Sequence, residues 1–159
     1  MNRTYAAFAL FLFFLAAPLH GAVLYVSSTT GNDSNNGTST STAKASIGSA
    51  YTAASSGDTL RIASGTYRED VLAISKSLTF EGGYPVDFQT RDYTVYNSTV
   101  IGQFSAGTGG IGVSFDGLSV STGATPFFLY WTDTNTSSIT ISNCTIYNSS
   151  KPAIDTYAS

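Results

Sequence analysis

The sequence has almost no histidine or cysteine. Among 159 residues it has one histidine, His20, and one cysteine, Cys144. A single cysteine excludes an intrachain disulfide and a multi-cysteine metal site, so the chain is not a disulfide-stapled scaffold. His20 lies within the first 22 residues, which are predicted below to be removed. The remaining chain therefore has no histidine for a catalytic triad, a Cys-His pair, a zinc site or a general base.

Charged residues are also scarce, at 11% of the chain. From Val23 onward there are ten acidic and six basic residues, and the basic residues form no cluster. Nucleic acids are bound by clustered Lys and Arg side chains, so we expect no nucleic-acid partner. Ten tyrosines and ten phenylalanines can build a folded core, which distinguishes this chain from a disordered Ser/Thr-rich stalk.

The only long apolar run lies near the N-terminus. It covers residues 6–17, follows the positively charged Arg3, and precedes the small residues Gly21 and Ala22. This arrangement is typical of a secretory signal peptide. The run is shorter than the ~20 residues that a membrane-spanning helix needs. We therefore predict that residues 1–22 are a signal peptide, that the protein is secreted, extracellular or at the cell surface, and that it has no transmembrane segment.

The rest of the chain alternates short apolar segments with turn-forming residues, which favours an all-β architecture. Strands are predicted at residues 23–27, 59–63, 67–74, 77–81, 113–115, 118–120, 127–131, 139–141 and 145–147. Residues 82–85 are expected to break the strand pattern, and residues 85–98 to form a longer polar excursion. Residues 43–56 are predicted to be helical, because apolar residues recur there at helical spacing, namely Ile47, Ala50, Tyr51 and Ala54.

Two segments repeat one another. Residues 115–120 and 141–146 both read apolar, polar, turn former, apolar, polar, apolar, at an offset of 26 residues. The same offset relates residues 127–131 to residues 153–157. Such a repeat predicts stacked coils. Gly117 and Asn143 fall at matched positions, where a tight corner needs the left-handed backbone that both tolerate and where an asparagine amide can bond to the neighbouring coil.

Several motifs occur in an order that is typical of one fold family. LYVS and GNDSNNGT occur within residues 24–38, and GDTLRI and GTYRE follow at residues 57–62 and 65–69. ISKSLTFEGGY and ITISNCTI occur at residues 74–84 and 139–146. Together they resemble the N-terminal portion of secreted right-handed parallel β-helix proteins of the pectin-lyase-like superfamily.

The resemblance implies an all-β fold, a right-handed parallel β-helix (a solenoid) with a short N-terminal capping helix. The β-helix domain would cover residues 23–159 and would be truncated at its C-terminal end, because the superfamily usually has more coils. The superfamily includes polysaccharide lyases and hydrolases. A pectate-lyase-like reaction needs calcium held by carboxylates and an Arg or Lys base, so these residue types are the candidates to examine.

Asp33 is the candidate calcium ligand. It lies among Asn and Ser residues in a loop flanked by Gly31 and Gly37, and calcium binds clustered oxygen atoms. The simpler interpretation of this loop is a solvated turn. Glu69 and Asp70 are the densest acidic pair, but neighbours on a strand point to opposite faces, so we expect them not to converge. The resemblance implies a structural role for Glu69, which belongs to the turn motif at residues 65–69.

No complete catalytic site is visible in the sequence. A glycosidase needs two facing carboxylates, and no spacing brings two together; Asp116 and Asp155 are lone acids. Three cations, Arg61, Arg68 and Arg91, are either uronate ligands or ordinary exposed residues.

Two aromatic residues are the better candidates for binding a sugar. Residues 127–131 alternate in a strand, so Tyr130 or Trp131 faces outward and can stack on a sugar ring. Packing in the core or at a sheet edge is the alternative.

Three functions remain open. The first is a secreted or cell-surface β-helix module that contacts a polysaccharide or a surface component without catalysis in this segment. The second is the N-terminal part of a pectate-lyase-like polysaccharide lyase, and the third is a structural adhesin or stalk repeat. One fold hosts many functions, so the fold does not choose between them. The missing carboxylate pair favours the first and the third.

Overall fold

The computed structural model describes residues 21–106, 110–122, 125–131, 138–152 and 154–158, with the backbone alone for residues 72, 128–131 and 155–158. This part is mostly β-strand and contains a 3-10 turn (Thr40–Thr42) and an α-helix, α1 (Ile47–Ala53). The strands are β1 (Val23–Val26), β2 (Thr59–Ala63), β3 (Gly65–Tyr67), β4 (Val71–Ile74), β5 (Leu78–Tyr84), β6 (Ser98–Ile101), β7 (Phe104–Ala106), β8 (Gly112–Asp116), β9 (Leu118–Ser121), β10 (Phe127–Trp131), β11 (Ser138–Ser142), β12 (Thr145–Tyr147) and β13 (Ile154–Ala158).

The strands form three separate parallel sheets, which confirms the predicted all-β fold class. Sheet A has the order β1-β2-β5-β8-β11, sheet B the order β3-β6-β9-β12, and sheet C the order β4-β7-β10-β13. From β2 onward the chain visits A, B and C in this order four times, and each visit to all three is called a pass. Strands that pair are therefore one pass apart in the sequence.

The predicted repeat matches the register of sheets A and B. Phe115 pairs with Ile141, and Val120 pairs with Ile146, both at the expected offset of 26 residues. In sheet C, Phe127 pairs with Ile154, so the predicted pairing of residues 127–131 with 153–157 is wrong by one residue. The reason is an extra residue in the connection between β12 and β13 compared with the connection between β9 and β10.

The corners between sheets A and B have the predicted backbone geometry. Gly117 follows β8 with a φ of 69°, and Asn143 follows β11 with a φ of 52°. Both lie in the left-handed region, which glycine and asparagine adopt more easily than other residues. These two residues allow the chain to leave β8 and β11 and to enter the next sheet after one and two residues, respectively.

Inward side chains from all three sheets meet in one buried cluster. Its centre is aromatic. Phe80 and Phe115, from sheet A, stack with ring centroids 5.0 Å apart, and Phe104 and Phe127, from sheet C, stack at 5.7 Å. Phe104 and Phe115 join the two pairs at 4.8 Å. All four rings are fully buried, so they supply a large share of the apolar area that stabilises the fold.

Helix α1 is shorter than the predicted helix at residues 43–56. Its apolar face is the predicted one, with Ile47, Ala50 and Ala54 buried and Tyr51 half-buried. The residues before it are extended instead. The backbone of Lys44 accepts a hydrogen bond from Ser27 and donates one to Tyr25, so it pairs with the free edge of β1. Pairing an open edge satisfies backbone groups that a longer helix would leave without partners.

Three other strand predictions are corrected. The single strand predicted at residues 67–74 is two strands, β3 and β4, which belong to different sheets. The predicted break at residues 82–85 is partly wrong, because β5 continues through Gly82 and Gly83 with a register irregularity against β2. Strands β6 and β7 were not predicted.

Residues 1–20, which include most of the predicted signal peptide, lie outside the described residues. That segment, secretion and the domain boundaries stay predictions. Within the part of the chain that the structure describes, no helix has the length and hydropathy needed to cross a membrane.

Replacing Phe115 with alanine should destabilise the fold strongly. The ring touches Phe80, Phe104 and Phe127, so its removal leaves a cavity at the centre of the core. We expect Phe115→Ala to lower the free energy of unfolding by about 3–5 kcal/mol in urea titrations. Tyr147→Ala, at an exposed aromatic residue, is the control and should change it by less than about 1 kcal/mol. Equal losses in the two variants would contradict this description of the core.

Candidate functional site

The outer face of sheet A has two columns of polar side chains. Strand alternation sends every second side chain outward, and the parallel register aligns equivalent residues of successive strands. The hydroxyl column consists of Thr59, Thr79, Ser114 and Thr140. The charged column lies two residues further along each strand and consists of Arg61, Glu81, Asp116 and Ser142. Neighbours in a column are about 4.8 Å apart, because that is the spacing of hydrogen-bonded strands.

A loop adds a fifth side chain to the charged column. Residues 85–97, here called the strap, connect β5 to β6 and contribute Arg91. Its Nη2 lies 2.8 Å from Asp116 Oδ2, and its Nε lies 3.7 Å from Glu81 Oε1. On the other side of Glu81, Arg61 Nε lies 3.4 Å from Oε2. Two cations and two anions therefore neutralise one another along the column.

Asp116 is held as an anion by several donors. Its carboxylate accepts hydrogen bonds from Asn143 Nδ2 at 2.7 Å, Ser142 Oγ at 3.0 Å and Arg91 Nη2 at 2.8 Å. Partial burial would raise the pKa of Asp116, but these hydrogen bonds and the charge of Arg91 outweigh burial and lower it below its ordinary value. A carboxyl that acts as a general acid needs the opposite shift. The bond from Asn143 is the corner contact between passes that the sequence predicts.

Two tyrosines border the charged column. Tyr84 donates a hydrogen bond to Glu81 Oε2 at 2.6 Å, and burial together with this bond raises the pKa of Tyr84 to about 12. The guanidinium carbons of Arg61 and Arg91 lie 5.4 and 6.0 Å from its ring centroid. Tyr93, on the strap, is 41% exposed and has Arg91 at 5.6 Å from its ring centroid. An exposed aromatic ring therefore lies beside the polar face.

Two glycines allow the strap to lie against the corner of sheet A. Gly83 has a φ of 86°, and a Cβ there would lie 2.7 Å from the Cα of Tyr93. Gly117 has a φ of 69°, and a Cβ there would lie 2.7 Å from Arg91 Nη2. A larger residue at Gly83 would press on the backbone of the strap, and one at Gly117 would crowd the guanidinium group of Arg91.

The candidate calcium ligand Asp33 is bonded within its own loop. Its Oδ1 accepts from the backbone nitrogens of Ala45 and Ser46, and its Oδ2 from Ser46 Oγ, all at 2.9 Å. Burial would raise the pKa of Asp33, but these bonds and the charge of Lys44 lower it. Lys44 Nζ donates to the carbonyl oxygens of Asp33 and Asn35 at 3.0 and 2.7 Å, so loop oxygens already hold an ammonium group.

No cluster of three or more His, Cys, Asp or Glu side chains with metal-binding geometry occurs among the described residues. The calcium-binding role of Asp33 stays a prediction.

Glu69 and Asp70 do not converge, as predicted, although they lie in the connection between β3 and β4 rather than on a strand. The two oxygens of Glu69 accept hydrogen bonds from the backbone nitrogens of Ile47 and Gly48, each at 2.7 Å. Asp70 Oδ1 instead accepts from the backbone nitrogen of Gln103 at 2.9 Å. Glu69 therefore caps the first turn of α1, which agrees with the structural role predicted for it.

A cation satisfies the other end of the same helix. Lys76 Nζ donates to the carbonyl oxygens of Tyr51 and Ala54 at 2.8 and 2.7 Å and lies 4.8 Å from the Tyr51 ring centroid. A helix has a partial negative charge at its C-terminal end, which an ammonium group complements. Glu69 and Lys76 thus attach both ends of α1 to the chain segment around β4.

The predicted sugar-stacking residues lie in another sheet. Tyr130 and Trp131 are the last two residues of β10 in sheet C, and their side chains are outside the described part. The side chain of Asp155, in β13, is also outside it. The binding role of Tyr130 and Trp131 stays a prediction. Arg68 is exposed and lies away from the charged column, which contains the other two candidate arginines.

The expectation that no two carboxylates come together is wrong. Glu81 and Asp116 occupy paired positions of β5 and β8. The strap lies between them and makes their sequence separation larger than the 26-residue repeat. A comparison at that offset therefore does not align the two acids. A signal was present, because Thr79-Phe80-Glu81 and Ser114-Phe115-Asp116 share the order hydroxyl, phenylalanine, acid.

Removing the cap of α1 should destabilise the protein. Glu69→Ala leaves the backbone nitrogens of Ile47 and Gly48 without their charged acceptor, and we expect it to lower the free energy of unfolding by about 2 kcal/mol in urea titrations. The control is Arg68→Ala at the adjacent exposed residue, which should change it by at most about 0.5 kcal/mol. A Glu69→Ala variant as stable as the control would show that the cap contributes nothing.

Acid should weaken the contact between the strap and sheet A. The pKa of Asp116 is lower in the folded chain than the ordinary value near 4 that it takes on unfolding. Its ionised form therefore adds stability above about pH 4, and this is lost as the pH falls through the lowered pKa.

Denaturation of the unmodified chain and of Asp116→Asn at pH 6 and pH 3 measures this contribution. The stability difference between them should be about 1–2 kcal/mol at pH 6 and should shrink at pH 3. Asp87→Asn, which changes an exposed strap carboxylate, is the matched control for the substitution itself and should change the stability at pH 6 by at most about 0.5 kcal/mol. A difference that does not depend on pH would contradict the assignment to Asp116.

Comparison of the chain with protein-family models, with curated proteins and with solved structures gives no match. The strand-rich fold and its parallel sheets are compatible with the β-helix family that the sequence motifs resemble. Membership of that family stays a prediction.

Proposed function

We propose that residues 23–159 form a right-handed parallel β-helix module that is secreted or displayed at the cell surface and that binds polysaccharide without catalysis. The β-helix assignment is supported by the constant order in which the chain visits sheets A, B and C, and by the single core that all three sheets share. Helix α1 would be its N-terminal cap.

The observation that carries the binding function is the exposed Tyr93 ring, which lies against Arg91 of the charged column of sheet A. A sugar presents an apolar ring face and an edge of hydroxyl groups. An aromatic side chain fits the first, and a row of polar side chains fits the second. The site is an open face, and no cavity is found in the described part of the chain. An open face suits a polymer better than a small molecule.

The same site argues against hydrolysis. A glycosidase separates the roles of its two carboxyl groups, one of them protonated at working pH. Here Arg91 lies against both Glu81 and Asp116, and the pKa of Asp116 is lowered. The two carboxylates are arranged as partners of an arginine and not as an acid and a base.

Tyr93→Ala tests the binding role, with Val95→Ala as the matched control. Both residues are exposed on the strap, but Val95, at 62% exposure, has no ring to stack on a sugar. Affinity gel electrophoresis through neutral and acidic polysaccharides gives the dissociation constants. We expect Tyr93→Ala to weaken binding about fivefold to tenfold and Val95→Ala to leave it unchanged.

Melting temperatures of both variants check that the strap stays folded. The proposed function would be overturned if no polysaccharide retarded the protein in the gel, or if incubation with the protein released new sugar chain ends.

A further inference from the structure

The carboxylate of Asp58 is buried directly before β2. The residue is 7% exposed, and each of its carboxylate oxygens accepts one hydrogen bond from a backbone nitrogen. Oδ1 accepts from Ala22 and Oδ2 accepts from Ser55, both at 2.7 Å. None of the ion pairs found among the described residues includes Asp58. Burial of a carboxylate is costly unless it is paired, so this group needs a positive charge.

One of its two donors, Ala22, lies at the boundary of the predicted signal peptide. Two peptide bonds here follow a small residue, Gly21–Ala22 and Ala22–Val23, and each fits the requirement for a small residue before the cleaved bond. The residue two positions before that small residue is Leu19 for the first bond and His20 for the second, and neither is small. The sequence pattern therefore locates the cleavage only to within one residue.

The folded chain distinguishes the two products of cleavage. Ala22 extends the pairing of β1 with β2 by one residue, because its carbonyl oxygen accepts a hydrogen bond from the backbone nitrogen of Thr59 at 2.9 Å. A chain that begins at Val23 would lose this bond and also the bond from Ala22 to Asp58. Oδ1 of a buried carboxylate would then lose its described donor, which is an unfavourable change.

Removal of Gly21 has no such cost. Gly21 forms no hydrogen bond among the described residues. Its backbone lies against the turn before β2, where a Cβ on Gly21 would overlap the carbonyl oxygen of Gly57 and lie 2.8 Å from the backbone nitrogen of Asp58. Only glycine fits in this contact. A chain that begins at Ala22 is free of the contact and keeps both hydrogen bonds of Ala22.

Hydrolysis of the Gly21–Ala22 bond supplies the positive charge as well. The oxygen of water joins the carbonyl carbon of Gly21, the C–N bond breaks, and both protons of the water end on the nitrogen of Ala22. Gly21 leaves as the carboxylate end of the signal peptide, and Ala22 gains an α-ammonium group, since the pKa of an α-amino group is ordinarily near 8. A charge-assisted hydrogen bond to a carboxylate is roughly twice as strong as a neutral one.

We propose that the mature chain begins at Ala22 and that its α-ammonium group forms an ion pair with Asp58. The ion pair attaches the first residue of the mature chain to the turn before β2, where sheet A begins. This inference rests on the secretion that is part of the proposed function, and it is independent of polysaccharide binding.

Secretion of the full chain, residues 1–159, from a bacterial and from a yeast host tests the processing site. The N-terminal sequence of the product is determined by mass spectrometry, and we expect Ala22 to be its first residue in both hosts. A product that begins at Val23, or at any other residue, would overturn the processing site but not secretion. A full-length chain that neither host exports would overturn the secreted part of the proposed function as well.

Chains of defined N-terminus test the ion pair. One chain begins with the free amine of Ala22. The other has the same residues with an acetyl group on that nitrogen, so that a neutral amide N–H faces Asp58 as it does in the uncleaved chain. Both are made with the unmodified sequence and with Asp58→Asn, which removes the negative charge and keeps the shape. Asp87→Asn, at an exposed acid of the strap, is the matched control.

Asp58→Asn should lower the melting temperature of the free-amine chain by about 3–5 °C, because the ammonium group loses its partner. The acetylated chain should lose much less, because there the same substitution also removes an unpaired buried charge. Asp87→Asn should change the melting temperature of either chain by no more than about 1 °C.

Acetylation alone should lower the melting temperature of the unmodified sequence by a similar 3–5 °C or so, and this comparison decides the question even if Asp58→Asn does not fold. Equal melting temperatures of the free-amine and acetylated chains, or equal losses on Asp58→Asn in both, would show that Asp58 only accepts a hydrogen bond. Either result would overturn the ion pair and leave polysaccharide binding untouched.

Discussion

Burial of four phenylalanine rings between sheets A and C fixes the strand register on which the rest of the structure depends. Phe80 and Phe115 point inward from adjacent strands of sheet A and stack on one another. A slip of one residue would turn every side chain of a strand to the other face, placing Glu81 or Asp116 in the core and a phenylalanine in water. Either change would cost several kcal/mol, so one register is strongly preferred.

The polar columns are a consequence of the same register. Because Phe80 pairs with Phe115, the residues on either side of each ring must also pair. Thr79 therefore meets Ser114, and Glu81 meets Asp116, without any attraction between them being required. Exposed ion pairs contribute little to stability, so the charges did not select this alignment. The core sets the positions of the surface groups, and the surface groups set what the face can bind.

The few charged residues are mostly used to hold irregular segments against the sheets. Glu69 and Lys76 bind the two ends of α1. Lys44 donates hydrogen bonds to carbonyl oxygens of the loop that precedes Lys44 in the sequence. Arg91 holds the strap, through Asp116 and the carbonyl oxygen of Gly82. Helices and loops have no ladder partner, so each needs its own polar contacts to satisfy backbone groups that the sheets satisfy automatically.

How much of this was predictable depends on connection length. Residues 115–120 and 141–146 were aligned correctly because Gly117 and Asn143 make equally short corners between sheets A and B. A single extra residue before β13 was enough to shift the predicted pairing in sheet C. The strand character of residues 43–45 depends on the open edge of β1, a tertiary partner that no local pattern reveals.

The candidate site was hidden for a related reason. Glu81 and Asp116 belong to successive passes, but the strap lies between them in the sequence, so a search at one fixed offset does not align them. Arg91 shows no periodicity at all, because it reaches the column from a loop. Tyr93, the exposed ring, lies in the same loop. Residues placed by strand repeats were accessible from the sequence, whereas residues placed by the strap required the folded chain.

The strap also decides the chemistry of the acidic pair. Two carboxylates on adjacent strands, without a cation between them, would repel one another, and the pKa of one would rise. Acid-base catalysis uses such a pair, in which one carboxyl group is protonated and the other is ionised. Arg91 removes that property by giving Asp116 a guanidinium partner at 2.8 Å while lying close to Glu81. Gly83 and Gly117 are the positions that let Arg91 come so near. The sheet therefore brings two acids together, and the loop that crosses them supplies the cation that pairs with both.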